Sequence, residues 1–171
     1  INFRDNEFVS ILGPSGSGKT TLIDVLSGNL ELGEGELNYS PESVVSVYKP
    51  NGIKLNKNLS IYDNMVAFGK KCHMNEVDVE SRMVQLRDIF SLSKFINTKV
   101  GELNEENRVK CEMVMSLLNS PRIIFVDDAL STLAHSSKNE ILKCLKRLNK
   151  EERTIIVLVS PDLKDVDKII N

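Results

Sequence analysis

A chain of 171 residues is one domain by default and is long enough to bury a real core. It is 41% hydrophobic and 27% charged with a formal net charge of −2, which suits a soluble globular protein and gives a nucleic-acid partner no support. The longest apolar runs, Ile123–Val126 and Ile155–Val159, are far too short to cross a bilayer, no signal peptide is visible, and Cys72, Cys111 and Cys144 form neither a disulfide framework nor a zinc pattern, so a reducing cytosol is expected.

The chain begins with Ile1 rather than Met, which sets the expectation of a fragment of something longer. Glu7–Leu12 reads as a strand and leads into Gly13-Pro14-Ser15-Gly16-Ser17-Gly18-Lys19-Thr20, followed by Thr21 and a helix with Leu22, Ile23 and Leu26 on its apolar side. This is the phosphate-loop pattern G-x-x-x-x-G-K-[ST] in its required setting of strand, loop and helix. Glycines let the backbone curl so that successive N–H groups face phosphate oxygens. Lys19 is the type of residue that reaches the β- and γ-phosphates, and the Thr20 hydroxyl is a Mg²⁺ ligand. A helix opening near Gly18 adds its positive dipole end.

Val44–Tyr48 reads as a second strand. Ser60-Ile61-Tyr62-Asp63 is a capping box opening a helix, and Val79, Met83, Leu86 and Phe90 recur at helical spacing. A further helix runs from about Glu105 to Leu118 with Met113 and Leu117 on one face and Pro121 beyond it; Met113 and Met115 read as core filler. His73 and His135, far apart in sequence, read as surface residues. Arg122–Asp127 and Thr154–Val159 are the last two strands, separated by a helix through Ile141, Leu142, Leu145 and Leu148. The alternation predicts an α/β domain, a P-loop NTPase-type parallel-sheet core, with an all-helical subdomain inserted at about 60–119.

Ile123-Ile124-Phe125-Val126-Asp127 is four apolar residues ending in an acid. Burying that strand sets Asp127 at its C-terminal end, where α/β sheets place ligands and where a carboxylate holds Mg²⁺ directly or through water. Beside a phosphate loop this is the Walker B strand. The expected cofactors are therefore ATP and Mg²⁺.

The order of glycine loop, helical insertion and Walker B strand resembles the ATPase domain of ABC transporters over nearly the whole chain. Leu59-Ser60-Ile61-Tyr62-Asp63-Asn64-Met65-Val66-Ala67-Phe68-Gly69 is similar to the segment after the Q-loop in importer subunits for polyamines and maltose-type sugars. Val100-Gly101-Glu102-Leu103 is similar to the lead-in to their signature motif, and Leu130-Ser131-Thr132-Leu133 to their D-loop. The family's aromatic adenine-stacking residue falls upstream of Ile1, and its C-terminal strands and extra domain have no counterpart here. The resemblance implies a membrane permease and a second ATPase domain as partners, at the inner face of a membrane.

Departures from the family pattern set the remaining expectations. The signature Leu-Ser-Gly-Gly-Gln aligns with Leu103-Asn104-Glu105-Glu106-Asn107, where two carboxylates add bulk and negative charge; a like pair at about 6 Å and an effective dielectric near 20 repels by roughly 3 kcal/mol. The same glutamates also favour a helix N-terminus. The catalytic Glu position holds Asp128, one methylene shorter but still a carboxylate. The switch-histidine position holds Ser160 and the D-loop aspartate position Ala134. The Q-loop glutamine, a residue of the metal site, aligns with Lys49 by strand matching or Asn51 by gapless counting, and both remain open. The expected function is an ATP-binding domain of an ABC transporter, coupling nucleotide state to a permease with weak hydrolysis. The alternatives are a pseudo-ATPase binding module and a soluble ABC ATPase outside transport.

Overall fold

The computed structural model describes residues 2–40, 43–50, 52–128, 130–131 and 133–160. Its elements, in chain order, are β1 (Phe8–Leu12), α1 (Lys19–Leu26), β2 (Val45–Tyr48), α2 (Ile61–Lys71), α3 (Glu76–Ile89), a short 3-10 turn (Val100–Glu102), α4 (Glu105–Ser116), β3 (Ile123–Asp127), α5 (His135–Glu152) and β4 (Ile155–Ser160). The four strands form one parallel sheet in the order β1-β4-β3-β2. This is the P-loop NTPase arrangement expected from the alternating pattern.

Every residue of β3 and β4 is buried, as befits central strands covered on both faces. Alternation then sorts their side chains. Ile124, Val126, Ile156 and Leu158 join a large core with α2 through α5. Ile123, Phe125, Ile155, Val157 and Val159 join a smaller one, in which Ile23 is the buried residue of α1 and Phe3 meets Phe125 edge to face.

The helical elements begin where their caps place them. The Ser60 hydroxyl accepts from the Asp63 N–H at 3.0 Å, and the Asp63 carboxylate accepts from the Ser60 N–H at 3.4 Å, completing the predicted capping box. Asn75 and Asn104 cap α3 and α4 in the same way, by accepting from Asp78 and Asn107 N–H at 2.8 Å each. Met113 and Met115 are fully buried, and His73 and His135 are exposed. Among the described residues no helix is long and apolar enough to cross a membrane.

Candidate functional site

The loop after β1 and the end of β3 meet at the carboxyl edge of the sheet. Strand β4 lies between them, with Leu12 opposite Ser160 and Val159 opposite Asp127. Glycine supplies the turn: Gly16 and Gly18 have φ of +82° and +84°, where a side chain would be strained, although a Cβ at either would meet no neighbouring group within 4 Å. Gly18 is also the N-cap of α1. It offers no side-chain cap, and the first turn carries no acid, so the first helical N–H groups are left for a ligand.

Ser15, Gly16 and Gly18–Thr21 line one wall of an open cleft of about 340 Å³, and Asp127 and Asp128 line the other. Gly13, Pro14 and Ser17 are outside that lining, and the Ser17 N–H closes the turn on the Pro14 carbonyl at 3.2 Å. The Lys19 ammonium donates to the Gly13 and Pro14 carbonyls at 2.7 Å each and reaches the Ser17 hydroxyl at 3.4 Å, so it folds back over its own loop. Asp127 is 6% exposed at the strand end, and Asp128 is exposed beyond it. Asp128 has φ +48°, a left-handed turn that aspartate tolerates better than most side chains. Its N–H donates to the Val159 carbonyl at 3.1 Å, and its carbonyl accepts from the Ser131 hydroxyl at 3.2 Å.

These residues fit a Mg-nucleotide. Unsatisfied N–H groups and a lysine suit a polyphosphate. Thr20 and Asp127 would be the protein's share of a Mg²⁺ shell, which otherwise draws on waters and phosphate oxygens. Among the described residues no group of three or more His, Cys, Asp or Glu could hold a metal ion.

The other predicted positions fall nearby or apart. Lys49 follows β2, half-buried, and its ammonium pairs with Asp24 of α1 at 2.7 Å. Asn51 lies outside the described residues, as do Ala129 and Thr132 of the turn after β3. Ser160 is buried at the end of β4, and Ala134 is the N-cap of α5. At the head of α4 the two glutamates part. Glu105 is exposed, whereas Glu106 accepts from the buried Lys110 at 2.7 Å. That hydrogen bond, aided by one from Ser137, holds the Glu106 carboxyl below its usual range against the opposing effect of burial.

Three polar arrangements escape sequence reasoning. Asp24 is one helical turn beyond Thr20, but its partner is remote in the chain. Asn64 is buried and shapes the preceding loop, accepting from the Asn56 N–H at 2.8 Å and donating to the Asn56 and Ser60 carbonyls at 3.0 and 2.8 Å. The Tyr48 hydroxyl donates to the buried Glu112 carboxylate at 3.0 Å, and burial, then that charge, raises the phenol's pKa. An amide four residues into a capped helix was the one available hint, for Asn64.

The family model described as "ABC transporter" matches residues 1–131. The spermidine/putrescine import ATP-binding protein PotA of Spiroplasma citri is 28% identical, covering 99% of this chain and 52% of that protein. The sulfate/thiosulfate import ATP-binding protein CysA of Bacillus cereus is 26% identical, over 96% of this chain and 50% of that protein. The chain spans about half the length of the curated relatives it matches. Two solved structures share the fold: cbiO1 from Clostridium perfringens, with TM-score 0.83 and 19% identity over 97% of this chain and 71% of that one, and the bacterial ABC transporter cassette MJ0796, with TM-score 0.76 and 23% identity over 98% and 80%. Family match and sheet topology agree, and the chain belongs to the ABC transporter family as an ATP-binding domain related to importer ATPases of the PotA and CysA type.

Proposed function

We propose that residues 1–171 act as a single nucleotide-binding domain that takes Mg-ATP through Gly13–Thr21 and Asp127 and passes its nucleotide state to a membrane permease. The observation that carries this reading is one cleft with the uncapped head of α1 on one wall and Asp127 on the other. The expected result is saturable Mg-ATP binding in calorimetry, lost in Lys19→Ala. Absence of any heat from the unmutated full-length protein overturns the reading.

The inserted helices, about 60–119, would form the face toward the permease, with the segment near Asn51–Asp63 coupling to it. A groove between α2 and α3 supports this: Val66, Ala67, Met74 and Val79 line it, with Asp63, Glu76 and Glu80 among its polar residues. The importers PotA and CysA are the relatives that favour transport, at the inner face of a membrane. MJ0796 was solved as a dimer, which supports pairing with a second ATPase domain.

Turnover would be slow. Asp128 is the candidate catalytic carboxylate, and exposed Glu105 would meet a partner's γ-phosphate with like charge. Lys110 offsets Glu106, so one unpaired carboxylate rather than two opposes sandwiching. The same departures support the second reading, a pseudo-ATPase that binds without turnover. Phosphate release measured with the natural partners separates the two: turnover abolished by Asp128→Asn supports the enzyme, and no turnover in the unmutated protein supports the binding module.

A further inference from the structure

Helix α4 is buried from Val109 through Ser116, and that stretch includes the polar residues Lys110, Glu112 and Ser116. Lys110 has Glu106 on its own helix. Glu112 is 5% exposed and has its partner across the core: among the described residues its carboxylate accepts from one donor, the hydroxyl of the fully buried Tyr48, at 3.0 Å. Arg108, one turn earlier on α4, brings an opposite charge that acts on the same phenol. Neither Tyr48 nor Glu112 lines the phosphate cleft.

A second bond runs beside the first. The Ser46 hydroxyl donates to the Ser116 carbonyl at 2.6 Å. Ser46 and Tyr48 are two apart on β2, so they share one face of the sheet and lie roughly 7 Å apart along the strand. Glu112 and Ser116 are four apart on α4, so they share one face of the helix and lie about 6 Å apart along its axis. The two spacings match, and both bonds form in one register. The pairing also fixes direction. As the strand runs from Ser46 to Tyr48, the helix runs back from Ser116 to Glu112, so α4 is antiparallel to β2 and its head points to the carboxyl edge of the sheet. From Glu112 to Glu105 the helix advances roughly 10 Å, which carries its head beyond the end of β2.

A buried carboxylate with one donor is poor evidence for stability, since apolar side chains of similar volume in place of such a pair are often neutral or stabilising. What it supplies is register. Apolar cores lose uniqueness of packing before they lose stability, so Met113 and Val114 alone would let α4 settle in several positions. With Glu112 in place, sliding or turning α4 on β2 takes the carboxylate off its donor and leaves it unpaired in apolar surroundings.

We propose that Tyr48 and Glu112 are positioning residues, a buried catch that seats α4 in one register on β2 and so fixes where the head of α4, with exposed Glu105, stands relative to the sheet. That head is the face which the proposed function offers to a second ATPase domain. The catch does not depend on whether the cleft takes nucleotide.

The test is the distance between spin labels at Glu105→Cys on the head of α4 and Lys150→Cys on α5, measured by pulsed electron resonance in the full-length protein with Cys72→Ser. Cys111 and Cys144 are buried and stay unlabelled. A control pair, Val77→Cys on α3 with Lys143→Cys on α5, reports general loosening. With the catch intact the first pair is expected to give one narrow distribution. Glu112→Gln, whose amide oxygen still accepts from Tyr48, is expected to keep it. Tyr48→Phe is expected to broaden it and to lower the urea midpoint. Tyr48→Phe with Glu112→Met is expected to regain the midpoint and stay broad, which separates position from stability. The control pair is expected to stay narrow throughout. A narrow, unshifted first pair in the double variant, a broad one in Glu112→Gln, or equal broadening of the control pair overturns the proposal. If the double variant does not fold, Tyr48→Phe decides alone: broadening of the first pair without the control upholds the catch, and any other result overturns it.

Discussion

Lys19, Glu106 and Cys111 each show how a single side chain's chemistry is set by what surrounds it. Lys19 satisfies its ammonium on the loop carbonyls, and the loop keeps its curl around that charge. Glu106 is held ionised by Lys110, a lysine that is itself only 5% exposed and needs the carboxylate beside it. Cys111 is fully buried on α4, and burial, with the neighbouring Glu112 charge, pushes its thiol up to about 12. Burial likewise raises Cys144, whereas Cys72 is only half-buried. A raised thiol pKa keeps the group protonated, and the thiolate is the reactive form. At pH 8 a disulfide reagent is therefore expected to titrate Cys72 alone in the folded protein and all three cysteines after denaturation. Rapid labelling of Cys111 or Cys144 under native conditions would contradict this packing.

Among the elements, α2, α3, α4 and α5 are joined by contacts that propensity alone does not explain. Gly69 sits inside α2, where glycine costs about 0.5–1 kcal/mol relative to alanine. The reason for it is Val79 of α3: a Cβ at Gly69 would collide with one Val79 methyl group. Valine is stiff at χ1 and cannot turn aside. Gly69→Ala is thus expected to destabilise the protein by about 1–3 kcal/mol despite its better helix propensity, seen as a lower urea midpoint. A rise in stability would show that α2 and α3 are not this close. Arg82 of α3 makes a second joint, with both guanidinium N–H groups on the Glu152 carboxylate at 2.6 Å and two further bonds to the Leu117 carbonyl at the end of α4. The strands, the loop, the capping box and the place of Asp127 were legible in the sequence, because each depends on neighbours within a few residues. Gly69 against Val79, Arg82 against Glu152, and Lys49 against Asp24 were not, because each joins residues that only the packed helices or the sheet edge bring together. The pairing of Glu106 with Lys110 is of the first kind, an i,i+4 pair within α4, and it is what separates the two glutamates at the head of that helix.

The inserted helices and the sheet share one interior. A single buried cluster runs from Ile61 and Met65 of α2, through Val79, Met83 and Leu86 of α3 and Met113 and Val114 of α4, to Val126, Ile156 and Leu158 of the sheet and Leu145 of α5. On the opposite face, among the described residues, Ile23 is the buried residue that α1 adds and Phe3 is packed from outside the sheet. A continuous core makes the insertion part of the same cooperative unit, because unfolding it would open the apolar faces of α4 and α5 to water. A truncation on the α1 face should act on that same unit, since β3 and β4 are common to both faces. Met65→Ala in the insertion, Leu145→Ala on α5 and Ile23→Ala on α1 are each expected to cost about 2–5 kcal/mol. All three should shift one urea transition without splitting it, whether followed by far-ultraviolet circular dichroism or by hydrogen exchange of α3 and of β4 amides. An early transition in Met65→Ala confined to α2 and α3, with β4 still protected, would show instead that the insertion folds apart from the sheet. The α3 joint at Arg82 would then bind two separately stable bodies rather than close a single core.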